Sequence, residues 1–287
     1  MREQDFPALY RSADDLSKKS QRGFFRALKL HLVTLVVAAI LSIVSIPHWS
    51  IAALQLLALL AALGCSIYLF AMRPDRLWYA GRAVAESIKT ITWRYICRAE
   101  PFLSDDEIAR SHFRQSLRQI VEQNREVCQS LTEHLDETQF TPAMEQMRAC
   151  SLDERKATYA DSRIKNQLSW YARKAAFNRC MSKSFFVALI GINAIAVVCV
   201  ILRIAHPTQQ LWPTDIFVAA SASLLSWMQA KRFSELAASY ALAAHEIGLI
   251  REQAMLSDSD QKFSLFVGDA ENAFSREHTQ WAARRDH

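Results

Sequence analysis

Two long apolar runs, each turning back on itself near a proline, interrupt an otherwise polar, helix-patterned chain. The first run extends from Phe24 to Met72. Its leading arm, Phe24 to Ile46, has no acidic residue and only Arg26 and Lys29, both near its start. A break at Pro47-His48-Trp49-Ser50 follows, and the second arm, Ile51 to Met72, carries no charge. Arms of about 22 residues match a hydrocarbon core roughly 30 Å thick. Further on the pattern returns, with Phe185 to Ala205, a turn at His206-Pro207, and Trp212 to Gln229. Breaks this short leave no room for a domain, so each run reads as an antiparallel pair. The predicted fold class is an all-α membrane protein: two transmembrane helical hairpins (four transmembrane helices) extended into a cytoplasmic helical bundle.

The polar segments keep a helical period. Phe6, Leu9, Tyr10, Ala13 and Leu16 recur at three- and four-residue steps and predict an amphipathic helix ahead of the first arm. The second arm is expected to continue from Met72 through Lys89 as one long helix, and the fourth to run on from Gln229 through Glu246. Pro101 stops the former. Ser104-Asp-Asp-Glu107 and Ser151-Leu-Asp-Glu154 read as capping boxes, and Thr141-Pro142 as another helix start. Between them Phe113, Leu117, Ile120, Asn124, Val127, Leu131 and His134 alternate four and three apart, a heptad seam. That seam serves either an intramolecular bundle or a coiled coil between subunits. A last helix gathers Phe263, Phe266, Val267, Ala270, Phe274 and Trp281 on one face. The organisation expected is a first unit over 1–135, a connecting helix over 136–150 and a second unit over 151–287. An ungapped offset of about 160 residues sets Phe25 against Phe185, Pro47 against Pro207, Ala83 against Ala243 and Glu86 against Glu246.

Composition sharpens this picture. Half the chain is hydrophobic, 51%, yet mean hydropathy is −0.01, which fits a membrane part plus long polar helices. The net charge is +5, but the basic residues crowd beside the apolar arms. The charge is therefore not read as a nucleic-acid surface. Lys18, Lys19 and Arg22 precede the first arm, Arg73 and Arg76 follow the second, Arg179 and Lys183 precede the third, and Lys231 and Arg232 follow the fourth. The bias of basic residues toward the cytoplasm predicts a multi-pass protein of the inner (plasma) membrane with both termini cytoplasmic. No cleavable leader is read, since the first apolar run is too long for one. The six cysteines lack metal-site spacing and are expected as free thiols.

Few residues offer chemistry. No phosphate-binding glycine loop or dinucleotide fingerprint is present, and no nucleophile–histidine–acid set follows from spacing. The expectation is a non-enzyme with no cofactor, no catalytic residue and no metal site. Glu271, Glu277 and His278 come nearest to a cluster, and helix packing is the plainer account of them. Within the apolar arms, His31, Asn193, Ser223 and Ser226 are candidates for pore lining or for tight helix packing. Arg203 and Asp215 flank the second turn, as candidate outer-mouth charges or as snorkelling side chains.

Several of these stretches resemble a known family. Trp78-Tyr79, Arg82-Ala83, Glu86-Ser87, Lys89 and Trp93-Arg94-Tyr95 resemble one subfamily of the SLATT domains, the two-helix membrane effectors associated with SMODS nucleotide synthases and SLOG nucleotide sensors. Gln167, Trp170-Tyr171, Lys174-Ala175 and Asn178 before the second hairpin, and Trp227, Lys231-Arg232, Tyr240, Glu246, Glu271, Ser275-Arg276-Glu277-His278 and Trp281 after it, resemble another. The resemblance implies a prokaryotic conflict or antiviral-defence effector that oligomerises in the lipid bilayer, forms or gates a pore, and kills or arrests the cell. It also implies a nucleotide-sensor or nucleotide-synthase partner and a homo-oligomer. A non-conducting membrane scaffold that recruits a partner is the other expectation. The family carries no established catalytic residues, and this chain departs from it in fusing two units without an attached sensor.

Overall fold

The computed structural model describes residues 1–44, 49–209, 211–254 and 258–283, with side chains in the last helix as far as Ser275. Every regular element among them is helical. In chain order these are α1 (Ala8–Ile43), α2 (Trp49–Met72), α3 (Pro74–Ile96), α4 (Asp106–Gln123), α5 (Arg125–Cys128), α6 (Pro142–Ala149) and α7 (Leu152–Tyr159). A π-helical turn, Ala160–Lys165, leads into α8 (Asn166–Ala205), and α9 (Thr214–Lys231), α10 (Phe233–Ala254) and α11 (Asp260–Ala283) complete the fold. Three helical runs are long and apolar enough to cross a bilayer: Ala8–Ile43, Trp49–Met72 and Leu152–Ala205. The fourth arm falls in α9, where Asp215, Ser221, Ser223, Ser226 and Gln229 dilute the apolar residues and leave it below that measure. The turn at Pro47-His48 lies outside the described residues.

The chain divides into two compact units. One comprises Arg22–Pro74 and Arg173–Tyr240 and holds both apolar hairpins. Its outward surface is aliphatic and aromatic: Phe70 is 86% exposed, Ile204 75% and Val187 67%. So wide an apolar surface belongs in lipid rather than water. Inside this unit the first pair of helices is joined by polar atoms. His31 Nδ1 donates to the Ala62 carbonyl at 3.0 Å, and Gln55 Nε2 to that of Ala38 at 3.5 Å. Phe25 meets Trp227 edge-on at 5.8 Å, and Phe185 stacks on Phe233 at 5.3 Å.

The other unit comprises Met1–Gln21, Asp75–Ala172 and Ala241–His287. Its core is aromatic. Tyr95, Phe102 and Phe113 pack together with centroids 4.9 to 5.9 Å apart, and Trp93 meets Tyr159, which in turn meets Phe263. The amphipathic start of α1 docks Tyr10, Ala13 and Ser17 into this unit, all buried. It lies close to α3 because Gly81 has no side chain. A Cβ there would stand 3.2 Å from the Ala13 carbonyl oxygen and 3.3 Å from the Ser17 nitrogen. Ser17 Oγ uses that proximity to donate to the Trp78 carbonyl at 3.2 Å.

Three local expectations are corrected. The long helices through Met72–Lys89 and Gln229–Glu246 are each interrupted. Arg73 has φ 39° and Arg232 φ 51°, both left-handed. For Arg73 the cause is in the next residue. Pro74 lacks an N–H, and its ring disfavours a right-handed helical residue before it. Pro74 then opens α3 at the first helical position, where a missing N–H costs nothing. The two breaks coincide within one residue under the offset that aligns the hairpins. Second, the Ser104–Glu107 capping box does not form: Asp105 caps α4 without a side-chain bond, and Ser104 Oγ is buried without a partner. The Ser151–Glu154 box does form, and Thr141 caps the helix that Pro142 begins. Third, the continuous helix expected from Phe113 to His134 ends at Gln123. Asn124 breaks it, its side-chain amide donating back to the Ile120 carbonyl at 2.8 Å.

Candidate functional site

Among the arginines between the two apolar hairpins, Arg148, Arg155 and Arg163 are buried, each 4% exposed or less. They lie seven and eight residues apart, on α6, α7 and the π turn. Long guanidinium side chains are rarely buried unless every donor finds an acceptor. Arg148 donates to Asp106 Oδ1 at 2.8 Å and to the carbonyls of Tyr95 and Ser104 at 2.7 and 3.0 Å. Arg155 reaches the Cys97 carbonyl at 2.9 Å and Asp260 Oδ1 at 2.6 Å. Arg163 forms a two-pronged pair with Glu271, Nε to Oε1 at 2.8 Å and Nη2 to Oε2 at 2.7 Å. The connecting segment is thereby tied at three heights to α3, to the start of α4 and to α11.

Glu271 is the focus. It is 0% exposed and accepts two further bonds, from Tyr159 at 3.0 Å and Thr90 at 3.1 Å. Four donors on one carboxylate explain how a full charge survives burial. The remaining Arg163 nitrogen, Nη1, is buried without a hydrogen-bond partner, and the guanidinium lies 4.9 Å over the Phe274 ring. Burial drives the Tyr159 hydroxyl far above its ordinary value, and Glu271 adds to it. The same cause holds the Cys97 thiol protonated. Burial pulls Lys89 below the usual lysine range, opposed by Glu86 and reinforced by Arg163 and Arg82.

From Lys89 the charges continue to the N-terminal helix. Arg82 pairs with Glu86 at 2.6 Å and with Asp14 at 3.5 Å, and Asp14 pairs with Lys18 at 2.6 Å. Burial works against the Arg82 cation, but Glu86 and Asp14 together raise it above its ordinary value. Alternating signs thus run from α1 through α3 to the π turn and α11. At the α1 end a cleft of about 490 Å³ is lined by Arg2, Glu3, Gln4, Tyr10, Arg11, Asp14, Asp15 and His134. His134 bridges Asp15 at 3.1 Å and Glu137 at 2.5 Å, and these two carboxylates raise its imidazole above the ordinary histidine value. The chemistry this network displays is the pairing of charge. Among the described residues no group of three or more metal-type side chains is placed to hold an ion.

Of the residues singled out from sequence, Arg82, Glu86, Lys89 and Glu271 converge in this network. Trp78 stacks on Tyr79 at 4.5 Å, and Trp170 meets Tyr171 edge-on at 4.9 Å. Glu246, the counterpart of Glu86 under the repeat offset, is exposed on α10 rather than buried. The side chains of Glu277, His278 and Trp281 lie outside the described residues. Phe113, Leu117, Ile120, Val127 and Leu131 are all buried within their own unit, and Asn124 is partly so. In the hairpin unit, His31 joins α1 to α2, while Asn193 and Ser226 bond back to their own helices, at Leu189 and Ala222. Ser223 is half-buried, and no ion pair joins Arg203 to Asp215 among the described residues. The three buried arginines escaped sequence reasoning. A basic residue at a helical step reads as a solvated face until its distant partners are known.

Apolar helices with an aliphatic exterior, in one chain with a polar helical unit, define an integral membrane protein. Comparison with known families assigns it further. Residues 7–156 match SMODS and SLOG-associating 2TM effector domain 3, and residues 159–281 match SMODS and SLOG-associating 2TM effector domain 1. The chain belongs to the SLATT family and carries two of its units in tandem. SLATT domains are effector domains associated with conflict and defence systems. No curated protein and no solved structure matches the chain. The two family matches meet between residues 156 and 159, inside the arginine-bearing segment.

Proposed function

We propose that this chain is an inner-membrane effector of a nucleotide-signalling antiviral system, and that its copies assemble and open a pore that kills or arrests the cell. The observation that carries the reading is the pair of family units, each of which includes one apolar hairpin in its sequence. In this reading α9 is the fourth span. Both turns face outward, and both termini lie in the cytoplasm with the charged helical unit, as the placement of basic residues favours. The units are taken as 1–135 and 151–287, joined by residues 136–150. A nucleotide sensor or nucleotide synthase supplies the trigger. The trigger acts by binding the open and closed forms unequally, since equal binding moves no equilibrium. The ionic network is the element it biases. His31, Asn193, Ser223 and Ser226 serve helix packing or the pore wall.

Release of a self-quenched dye from liposomes holding the full chain tests this. Release on addition of the trigger, with potassium loss from cells after induction, is expected. Vesicles that stay sealed under every nucleotide and partner supplied would favour the non-conducting scaffold instead.

A further inference from the structure

We infer that α8 carries the surface on which a second copy of this chain docks inside the bilayer, a seam of Phe186, Ile190, Asn193, Val197, Val200 and Ile204. The inference rests on the proposed assembly of copies in lipid, but not on their conducting. Positions alternating four and three apart fall on one side of a helix, the spacing by which two long helices interlock. The five apolar members are 40 to 75% exposed, and Asn193 is exposed among them. A second seam of the same spacing, Phe185, Leu189, Ile192, Ala196 and Cys199, runs beside it. Its members are half-buried or buried, and Phe185 stacks on Phe233 at 5.3 Å. One seam of α8 thus packs within its own chain, and the other faces outward.

Asn193 decides the occupant. It stands two residues from the middle of the Phe185 to Ala205 arm, about 3 Å along the helix axis. Acyl chains offer an amide nothing to bond, so a polar side chain at that depth is drawn to another across a helix pair. A side-chain amide has two N–H donors and an acceptor oxygen. One N–H of Asn193 donates to the Leu189 carbonyl at 3.0 Å. The other N–H and the oxygen complement the oxygen and N–H of an identical amide. Copies of one chain enter the bilayer with the same orientation and depth, because the same flanking cations set both. Their α8 helices therefore run parallel, and Asn193 of each copy meets its twin at equal height. A foreign helix would match that depth only by coincidence.

Native mass spectrometry of the full chain, released from mild detergent and from nanodiscs, counts the copies in each particle. Particles of two or more copies are expected. Asn193→Val should lower their fraction several-fold, and Asn193→Gln should keep most of it. Taking an amide out of lipid does not harm the fold of a single copy, so the loss would report assembly. Val197→Trp should lower the fraction as well, while Val198→Trp, equally exposed but on another side of α8, should leave it unchanged. Assembly untouched by Asn193→Val, or lowered equally by the two tryptophan variants, overturns the seam. So do particles of one copy in both media, and so does a different membrane protein held through Asn193 in place of a second copy. Dye release separates this inference from the pore: assembly that needs Asn193 but leaks no dye keeps the seam while the pore falls. Leakage that persists in Asn193→Val with assembly unchanged keeps the pore while the seam falls.

Discussion

At the scale of single residues, the network gains its order from one carboxylate. Replacing Glu271 with Gln keeps the shape but leaves Arg163 as a buried cation without a counter-charge. Breaking a buried pair by removing one partner costs about 3–5 kcal/mol. Thermal unfolding of Glu271→Gln in detergent should show a loss of that order. The double variant Arg163→Met with Glu271→Leu should recover most of it, because two apolar side chains leave no charge to desolvate. Removing Lys165, whose pair with Asp161 at 2.8 Å is 69% exposed on both sides, should change stability little. An equal loss in both positions would mean that burial is not what makes Glu271 matter. His134 offers a pH test. Glu137 and Asp15 raise its folded value above the ordinary one of about 6.5, and Arg11 opposes them. A raised value contributes stability that is fully present below about pH 6.5 and is lost as pH climbs through the folded value. The tie it strengthens also includes the Ala8 amide donating to the Thr138 carbonyl at 3.2 Å and the Leu9 amide to Gln139 Oε1 at 3.0 Å. Hydrogen-exchange protection of those two amides should be greater at pH 6 than at pH 8, modestly and more so at low salt. His134→Gln should flatten the difference.

Among the helices, the decisive features are two interruptions. Arg73 and Arg232 each take a left-handed backbone where a second hairpin helix would otherwise have run on. A left-handed non-glycine residue costs roughly 1–2 kcal/mol, and glycine removes that cost against an entropy loss of roughly 0.5–1 kcal/mol. Arg73→Gly should therefore raise the unfolding midpoint slightly. Arg73→Val, which brings a β-branched side chain to the same backbone, should lower it. Identical midpoints for both would show that residue 73 does not hold this conformation in solution. The break at Arg73 was legible in the Arg73-Pro74 pair, since proline removes a donor from any helix that would pass through it. The break at Arg232 left no such mark, because neither Lys231 nor Phe233 forbids a helix. The Phe113 seam was read as one continuous heptad run. Its period could not say whether the facing side chains come from the same chain, and the structure supplies Tyr95 and Phe102.

For the molecule as a whole, the prediction concerns sidedness. Thr208→Cys, in the second turn, should be labelled in intact cells by a membrane-impermeant maleimide above the native-cysteine background. Arg118→Cys, exposed on α4, should be labelled only after the membrane is opened. Labelling of Arg118→Cys in intact cells, with Thr208→Cys labelled only after opening, would reverse the assigned orientation, and labelling of both in intact cells would put the two positions on one side and remove the span between them. A six-cysteine background is tolerable here in part because Cys65 and Cys97 are buried.

Local chemistry was enough to write much of this protein in advance. Lipid selects for runs of apolar residues, flanking cations choose a side, and caps depend on neighbours three residues away. Each can be read along a single stretch of chain, which is why three apolar membrane helices, two helix starts and the family emerged from residues alone. The arginine–carboxylate network did not. Arg163 and Glu271 are separated by 108 residues, and no periodic pattern links them. Whether a charged side chain is solvated or buried depends on what folding brings against it, and that was settled only when α3, the π turn and α11 closed on one carboxylate.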